Sequence, residues 1–420
     1  MGWVNRFYAA GTSSDLVERV KSKRRRDGWM GLLLLALSVS AKEPFRRCLT
    51  LDGTLEDSPH VFDSVSVEAG TESEITYTGL HEPPHPAPIT AVEGRAVANP
   101  RTVYEFRNAT LLGSRPIIRV GRRYVLPSTI GTRTTVKDQW NAQKTFHHNV
   151  SFTELFRRPE SRDDAASSVR SAFLLTGHFD EFGHWTFEIL PKLRAYEEYV
   201  TRTGNEPPIL TQQHLTTWQQ ESLTLLGYPP EALSYMGDEP IHVQRLLVPS
   251  HRYLTWAHVP SYPSRRDLRW VADRIKRTLR PSERSFGQRI FISREDAPRR
   301  HVRNRRAVYD VLEAYDFEIY EPGRLSFADQ VRLFAGADII VGPYGAGVSN
   351  IVFAEDAQFV ELIVDAEKNI HHYVLANLLG LDYEYVRCQP HAEPGVKTRN
   401  SDLIVDIEQL RDVLESLVST

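Results

Sequence analysis

The chain is poor in cysteine, and this scarcity limits the classes of protein to which it can belong. Its 420 residues include two cysteines, Cys48 and Cys388, which lie far apart and show no spacing typical of a zinc site. Neither a disulfide framework nor a structural zinc site is therefore expected, and a reducing compartment is the simpler expectation. We predict a cytoplasmic location, with a secretory lumen as the less favoured alternative.

An excess of charge of one sign is also missing. The 51 Lys and Arg residues nearly balance the 54 Asp and Glu residues, so the net charge is -3. Such a balance gives no general attraction to nucleic acid or acidic membranes, and we predict no nucleic acid partner. With 41% hydrophobic and 25% charged residues, the composition is typical of a soluble globular protein, and its length is sufficient for two domains.

The apolar run at residues 28–41 is too short to cross a bilayer, which requires roughly 18 to 20 apolar residues. A basic cluster at residues 21–26 precedes it. Three alternatives stay open for this segment: an ordinary packed helix, a helix lying at the membrane surface, or, less favoured, a secretion signal or anchor. Peripheral membrane contact by residues 1–45 is therefore one of the expectations.

A glycine-rich segment at residues 337–353 is the most informative part of the chain; it reads ADIIVGPYGAGVSNIVF. It predicts a buried strand, a tight turn and the start of a helix, and it matches neither the dinucleotide-binding GxGxxG pattern nor a P-loop. Glycines permit positive φ and a close approach of the backbone to a ligand, and a helix N-terminus attracts phosphate. On these residues alone, a turn without a ligand is the alternative.

Further polar residues adjoin predicted strands. Residues 289–294 predict a strand that ends in Ser293 and Arg294, and strand ends of this kind face ligands in parallel α/β sheets. Arginine at such an end can grip a diphosphate through two hydrogen bonds. Glu361 is an isolated carboxylate in an apolar strand at residues 359–364, and sugar hydroxyls are suitable partners for it.

An upstream block at residues 177–193 reads GHFDEFGHWTFEILPKL. On a helix, His184 and Glu188 stand four residues apart and share a face. Glu188 is therefore a candidate general base, and His184 can orient it or contact a donor phosphate. The alternative is a packed helix in which Trp185, Ile189 and Leu193 are core residues and His184 and Glu188 form a local ion pair.

Taken together and in this order, the blocks resemble glycosyltransferase family 61, the capsular polysaccharide biosynthesis group of transferases. The resemblance covers roughly residues 170 to 390 and includes the Ser-Arg strand end, the phrase LSFADQVRLF at residues 325–334, the glycine loop and the strand that contains Glu361. One departure is Tyr344, which stands where the family usually has histidine. Tyrosine can donate a hydrogen bond to phosphate, but it cannot carry the charge of an imidazolium.

The resemblance implies an α/β fold of GT-B type, with two Rossmann-like domains facing a cleft. It also implies an inverting glycosyltransferase that moves a sugar from a nucleoside diphosphate donor to a glycan or lipid-linked glycan acceptor. The implied catalytic residues are Glu188 and His184. The implied donor-binding residues are Ser293, Arg294, Arg300, Asn304, Tyr344, Gly345, Ala346, Gly347, Ser349, Asn350 and Glu361. No Asp-x-Asp motif stands out, so we predict no obligatory metal and no other cofactor.

The second half of the chain alternates strands and helices, which predicts a parallel sheet wrapped by helices. Strands are expected near residues 289–293, 317–320, 338–342, 358–364 and 383–387, and helices near 265–279, 305–315, 326–336, 346–353, 370–380 and 404–418. The predicted domains are an acceptor-side domain at 46–255, a nucleotide-sugar domain at 256–400 and a closing helix at 401–420.

Two other functions remain open. The Tyr344 departure favours a non-catalytic subunit that binds a nucleotide sugar or glycan within a polysaccharide assembly complex. A nucleotide-sugar epimerase on the same fold, or a Rossmann dehydrogenase, is a third class, although the glycine spacing of a dehydrogenase is missing.

Overall fold

The computed structural model describes residues 50–51, 61–81, 85–90, 94–113, 116–127, 130, 146, 150, 168–177, 181–252, 264–282, 284–364, 371–391 and 400–419. The predicted N-terminal segment at 1–45 and the predicted domain boundary at residue 255 lie outside these residues. In the part of the chain that is described, no helix has the length and apolar composition that a membrane crossing requires.

The chain folds into a mixed α/β structure with two large sheets and a separate two-stranded antiparallel sheet. In chain order the strands are β1 (Thr50–Leu51), β2 (Asp63–Glu68), β3 (Thr71–Ile75), β4 (Gly94–Ala98), β5 (Arg101–Leu112), β6 (Ile117–Val120), β7 (Arg123–Val125), β8 (Ser168–Leu174), β9 (Ile209–Gln212), β10 (Leu233–Met236), β11 (Ile241–Pro249), β12 (Arg289–Ile292), β13 (Glu318–Tyr320), β14 (Ile339–Pro343), β15 (Gln358–Val364), β16 (Asp382–His391) and β17 (Asp402–Val405).

The helices are α1 (Ala87–Thr90), α2 (Phe182–His184), α3 (Pro191–Thr203), α4 (Thr217–Leu225), α5 (Arg265–Thr278), α6 (Arg305–Ala314), α7 (Phe327–Ala335), α8 (His371–Leu379) and α9 (Ile407–Val418). A π-helical turn occupies Trp185–Ile189, and 3₁₀ turns occupy Pro230–Ala232, Pro322–Arg324 and Gly347–Phe353. The predicted helices near 265–279, 305–315, 326–336 and 370–380 are confirmed to within one residue at each end.

The first sheet has the strand order β1-β7-β6-β5-β11-β8-β9-β10, with β2 beside β5. Strands β11, β8, β9 and β10 run parallel, whereas β5 pairs with β11 and β6 in the antiparallel direction. The carboxyl ends of β8 and β11 therefore meet at one edge of the sheet. Thr176 and His251 follow these two strands within two residues.

The second sheet has the order β13-β12-β14-β15-β16-β17, and only β17 is antiparallel to its neighbour. The chain order of the strands reverses between β12 and β14. In a doubly wound parallel sheet, connections leave in opposite directions at such a point and open a crevice beyond the strand ends. Ser293 and Tyr344 directly follow these two strands, so both lie at this crevice.

Alternating apolar residues cover both faces of the second sheet. Phe291, Val341 and Val360 lie in a core with residues of α6 and α9. Ile340 and Phe359 lie on the opposite face, in a core that also includes residues of α3, α4 and α5 from the first half of the chain. Because side chains alternate along a strand, Glu361 also falls on this shared face.

Two features of the second half differ from expectation. The predicted helix near 404–418 begins only at Ile407, because β17 precedes it and pairs with β16. The predicted helix near 346–353 is a seven-residue 3₁₀ turn. A short 3₁₀ turn has tighter and poorer hydrogen-bond geometry than an α-helix, so it lacks the extended dipole on which the predicted phosphate attraction depended.

Candidate functional site

The two sequence blocks meet in the folded chain. Gly183 of α2 faces Ser349 in the turn after the glycine loop, and a Cβ built on Gly183 would lie 3.4 Å from the Ser349 Oγ atom. The helix that carries the candidate base therefore starts against the turn that follows the crevice of the second sheet. A larger side chain at position 183 would fill the space beside this hydroxyl group.

His184 and Glu188 contact each other, as their spacing predicts. The Nδ1 atom of His184 lies 2.5 Å from Oε1 of Glu188. The carboxylate is the better enclosed partner, with a side-chain exposure of 9% against 37% for His184. The imidazole therefore contacts a largely buried carboxylate and is itself partly exposed to solvent.

The backbone between these residues is wider than an α-helix. The N–H group of Leu190 donates to the carbonyl of Trp185, five residues earlier, at 2.9 Å. Pro191 follows and has no N–H group to bond the carbonyl of Phe187, which favours the wide turn at this point. Single π turns of this kind are frequent at functional sites.

Lys192 lies fully buried behind the candidate base. Its ammonium group donates to the carbonyl of Thr176 at 2.5 Å and lies 3.1 Å from Nε2 of His251. Burial lowers the pKa of Lys192 to about 7, and the charge of Glu188 opposes this shift. Sequence reasoning assigned no role to Lys192, although its position four residues after Glu188 could have indicated it.

A buried charge cluster ties this region to α5. Arg101 Nη2 lies 2.7 Å from Asp267 Oδ2, while Nη1 atoms of Arg194 and Arg252 each lie 2.6 Å from Glu68 Oε2. Burial is the main cause that lowers the pKa of Arg101. The cluster joins β2, β5, α3 and α5. It therefore fixes the position of α3, the helix that follows His184 and Glu188 in the chain.

Two arginines converge on the glycine loop. The Arg294 guanidinium lies over Gly345, since a Cβ at Gly345 would stand 1.7 Å from Arg294 Nη1. Arg300 donates to the Tyr344 carbonyl at 2.9 Å and stacks on the Tyr344 ring at 4.9 Å. Burial and, secondarily, the charge of Arg300 lower the pKa of Arg294 to about 10, so it stays cationic at neutral pH.

The guanidinium group of Arg294 can bind an anionic ligand. Its Nε atom donates to the Arg299 carbonyl at 3.2 Å, and among the described residues it forms no ion pair with a carboxylate. Because it lies at the ends of β12 and β14, an anion in the crevice would meet this guanidinium directly.

The loop glycines serve packing, and the predicted positive φ is wrong for them. Gly342, Gly345 and Gly347 all avoid the left-handed region. A Cβ at Gly342 would lie 2.7 Å from Val348 Cγ1, and one at Gly347 would lie 3.2 Å from Ile292 Cγ2. The glycines therefore allow β12 and β14 to approach the following turn closely.

A buried row of hydrogen bonds lies behind the loop. Ser349 Oγ lies 3.3 Å from His372 Nε2, and His372 Nδ1 lies 2.7 Å from Glu361 Oε1. The Tyr383 hydroxyl donates to Glu361 Oε2 at 2.9 Å. Glu361, predicted to contact donor ribose or base, thus has both oxygens bonded to neighbouring side chains, and His372 and Tyr383 were not predicted.

Other predicted donor-binding residues bond within the protein. Asn304 bonds both backbone groups of Val405, with its side chain donating at 2.8 Å and accepting at 3.0 Å. Asn350 donates to Gln330 Oε1 at 2.9 Å. Ser293 Oγ lies 3.4 Å from the Tyr309 hydroxyl, and Ala346 is exposed at the tip of the loop.

Metal ligands do not gather at this site. Across the described ranges, no group of three or more His, Cys, Asp and Glu side chains is arranged to hold a metal ion. The crevice instead contains cationic side chains, which can bind an anion.

The mixed α/β fold contains a crevice with cationic side chains. The turn beyond this crevice contacts the helix that carries the largely buried carboxylate of Glu188. Such a site is suited to group transfer from an anionic donor. The model of a family described as Glycosyltransferase 61 matches residues 182–360 of the chain. The matched region extends from the helix that carries Glu188, through Arg294 and the glycine loop, to β15. The match supports the resemblance to this family and a glycosyltransferase activity. None of the curated proteins compared matches the chain.

Proposed function

We propose that the protein is an inverting, metal-independent glycosyltransferase that moves a sugar from a nucleoside diphosphate donor to a glycan or lipid-linked glycan acceptor. The observation that carries this proposal is the contact between Gly183 and Ser349, because it joins the helix of Glu188 to the turn beyond the crevice. The family match over residues 182–360 supports the same reaction class. In this proposal the two sheets are the two halves of a GT-B arrangement.

The donor diphosphate binds in the crevice between β12 and β14. Arg294 neutralises its charge, and Arg300, which bonds the Tyr344 carbonyl, adds a second cation. Charge develops on the diphosphate as its bond to the sugar breaks, so fixed cations stabilise the transition state more than the ground state. Such stabilisation requires no metal ion.

Glu188 acts as the general base in this proposal. It accepts the proton of the acceptor hydroxyl as that oxygen forms a bond to the anomeric carbon. The bond from the anomeric carbon to the diphosphate breaks in the same step, and the diphosphate leaves with the electron pair. A single displacement of this kind inverts the configuration, and His184 holds the carboxylate in position through its 2.5 Å contact.

The proposal is tested by incubating the protein with a panel of nucleoside diphosphate sugars, with and without glycan acceptors, and with EDTA in parallel. We expect release of nucleoside diphosphate from one donor class, a product of inverted anomeric configuration by NMR, and no effect of EDTA. Retained configuration would contradict the single displacement, and loss of activity in EDTA would contradict metal independence.

A non-catalytic nucleotide-sugar or glycan-binding subunit is the second candidate. The observation that favours it is Tyr344, which stands at the loop position usually occupied by histidine and stacks on Arg300 at 4.9 Å. The same panel separates the two functions, because a binding subunit would bind a donor by calorimetry and release no nucleoside diphosphate. Interconversion of the donor sugar would indicate an epimerase instead.

A further inference from the structure

The turn after β12 carries two side chains of opposite charge beside the crevice. The N–H group of Ala297 donates to the carbonyl of Arg294 at 3.0 Å, so residues 294–297 form a tight turn. Arg294 opens this turn, and Asp296 stands two positions later. Because the turn is closed by a hydrogen bond, the backbone positions of the cation and the carboxylate are fixed relative to each other.

Each of these side chains lies over a glycine of a neighbouring loop. Strands β13 and β14 flank β12 in the second sheet. Arg294 lies over Gly345, in the loop after β14. Asp296 lies over Gly323, in the 3₁₀ turn after β13, where an added Cβ would stand 2.4 Å from its Oδ2 atom. A side chain at either glycine would displace the charged group that lies there.

The two loops that contain these glycines touch each other. A Cβ at Gly347 would lie 3.3 Å from Cγ of Pro322, the residue that precedes the glycine under Asp296. The loops after β13 and β14 therefore come together beyond the end of β12. Burial and the charge of Arg300 lower the pKa of Arg294, and the negative charge of Asp296 acts in the opposite direction. The carboxylate and the guanidinium thus lie on adjoining parts of one surface.

Asp296 differs from the other carboxylates next to this surface, because its oxygens have no partner within the protein. Glu295 pairs with Arg305, and Glu321 Oε2 lies 2.6 Å from Arg324 Nε. Across the described residues, the carboxylate of Asp296 accepts no hydrogen bond and forms no ion pair, and the residue is exposed. Both of its oxygens can therefore accept hydrogen bonds from a ligand.

A nucleoside diphosphate carries a suitable group for each of the two side chains. Its phosphate oxygens accept hydrogen bonds from the guanidinium of Arg294, and its ribose hydroxyls donate hydrogen bonds to a carboxylate. The carboxylate of Asp296 repels phosphate, so the opposite orientation of the ligand is disfavoured. The pair of charges therefore directs the diphosphate toward Gly345 and the ribose toward Gly323.

We propose that Asp296 binds the ribose hydroxyl groups of the donor and thereby selects ribonucleotide donors over 2′-deoxyribonucleotide donors. The identity of the ligand as a nucleoside diphosphate rests on the proposed function. The assignment to ribose rests on the unpartnered carboxylate beside Arg294. It takes the place of the role predicted for Glu361, whose two oxygens accept hydrogen bonds from His372 and Tyr383.

The test is titration calorimetry of the full chain with UDP, GDP, ADP and CDP, with the 2′-deoxy form of the nucleotide that binds most tightly, and with inorganic pyrophosphate. We expect the parent to bind the 2′-deoxy form about tenfold less tightly, because one hydrogen bond to a charged group is lost. Asp296→Ala should bind the two forms with equal affinity. It should bind pyrophosphate at least as tightly as the parent, because a negative charge near Arg294 has been removed.

Gly323→Ala separates the position of the carboxylate from its charge. Gly323 avoids the left-handed region, and its new Cβ would meet only the carboxylate of Asp296, so the fold should persist while that side chain moves. This variant should lose the discrimination although every charge is kept. Glu295→Gln is the matched control, since it alters the neighbouring exposed carboxylate, and it should discriminate as the parent does. Thermal unfolding of each variant checks that the fold is retained.

The outcomes are distinguishable. Equal affinity of the parent for the two sugar forms, or discrimination that persists in Asp296→Ala, overturns this inference and leaves the proposed function standing. An equal loss of pyrophosphate and nucleotide affinity in Asp296→Ala would show that the carboxylate supports Arg294, and it also overturns the role at ribose. Absence of binding by every nucleotide and by pyrophosphate overturns the inference together with the proposed donor class.

Discussion

Gly345→Ala is expected to weaken nucleoside diphosphate binding without removing any charged group. The new Cβ would lie 1.7 Å from Nη1 and 2.6 Å from Cζ of Arg294. A clash with the end of a flexible side chain is relieved by moving that side chain, so the fold should persist while the guanidinium leaves its place over the loop. A hydrogen bond between charged groups contributes about 1.5 to 3 kcal/mol, which corresponds to a loss of affinity of roughly 10- to 150-fold.

A double-mutant cycle tests the cause of this loss. Arg294→Ala should lower affinity by a similar factor, and adding Gly345→Ala to it should cost little more, because the group that clashes is already absent. Gly336→Ala is the matched control, since its Cβ would meet only the Arg332 carbonyl at 3.5 Å. Affinities from calorimetry that are unchanged in Gly345→Ala, or losses that add fully in the double variant, would refute the role given to Arg294.

Two further predictions concern stability. Asp267→Asn should lower the free energy of unfolding by about 3 to 5 kcal/mol, because it leaves the buried Arg101 without the carboxylate that pairs with it; denaturant titration measures this, with Glu74→Gln on the exposed face of β3 as the control. Lys192→Gln should reduce the pH dependence of stability between pH 7 and 10. The pKa of Lys192 is lowered to about 7 in the folded chain, so the unfolded chain binds a proton that the folded chain does not, and the parent gains stability as the pH rises through this window. A parent and variant with parallel pH profiles would contradict the lowered pKa.

The alternation of strands and helices in the second half was predictable from local patterns. The strands are apolar runs, and three of the helices, α5, α7 and α9, begin after residues that cap them. Ser264, Ser326 and Asp406 each accept a hydrogen bond from the backbone N–H group three residues later. Such caps are visible in the sequence because they depend on neighbours only three residues apart.

The partners of Glu361 could not be predicted in the same way. Its isolation in an apolar strand indicated that it needs hydrogen bonds, and that much is confirmed by the two bonds it accepts. The donors, His372 and Tyr383, come from the next helix and the next strand. Their identity depends on which face of the strand Glu361 occupies and on how α8 packs over that face.

Glycine is similarly ambiguous in a sequence. A glycine needed for positive φ and a glycine needed for close packing look the same, and at Gly345 the neighbour that demands space is Arg294, 51 positions earlier. The buried cluster around Asp267 illustrates the same limit, since its members come from β2, β5, α3, α5 and the segment after β11. Tertiary packing determines such contacts, so the spacing of residues along the sequence does not predict them.

The central claim is that Glu188 removes the acceptor proton in a sugar transfer. Glu188→Gln keeps the size of the side chain and its contact with His184 but cannot accept that proton. Glu198→Gln, on the following helix, is the matched control, because Glu198 only approaches Arg202 at 3.9 Å.

The measurement that tests this claim most directly is the initial rate of sugar transfer by Glu188→Gln, taken together with its affinity for the donor. We expect a rate lower by about 100- to 10,000-fold, unchanged donor affinity and unchanged thermal stability. A folded Glu188→Gln variant that transfers sugar at the rate of the parent would contradict the account.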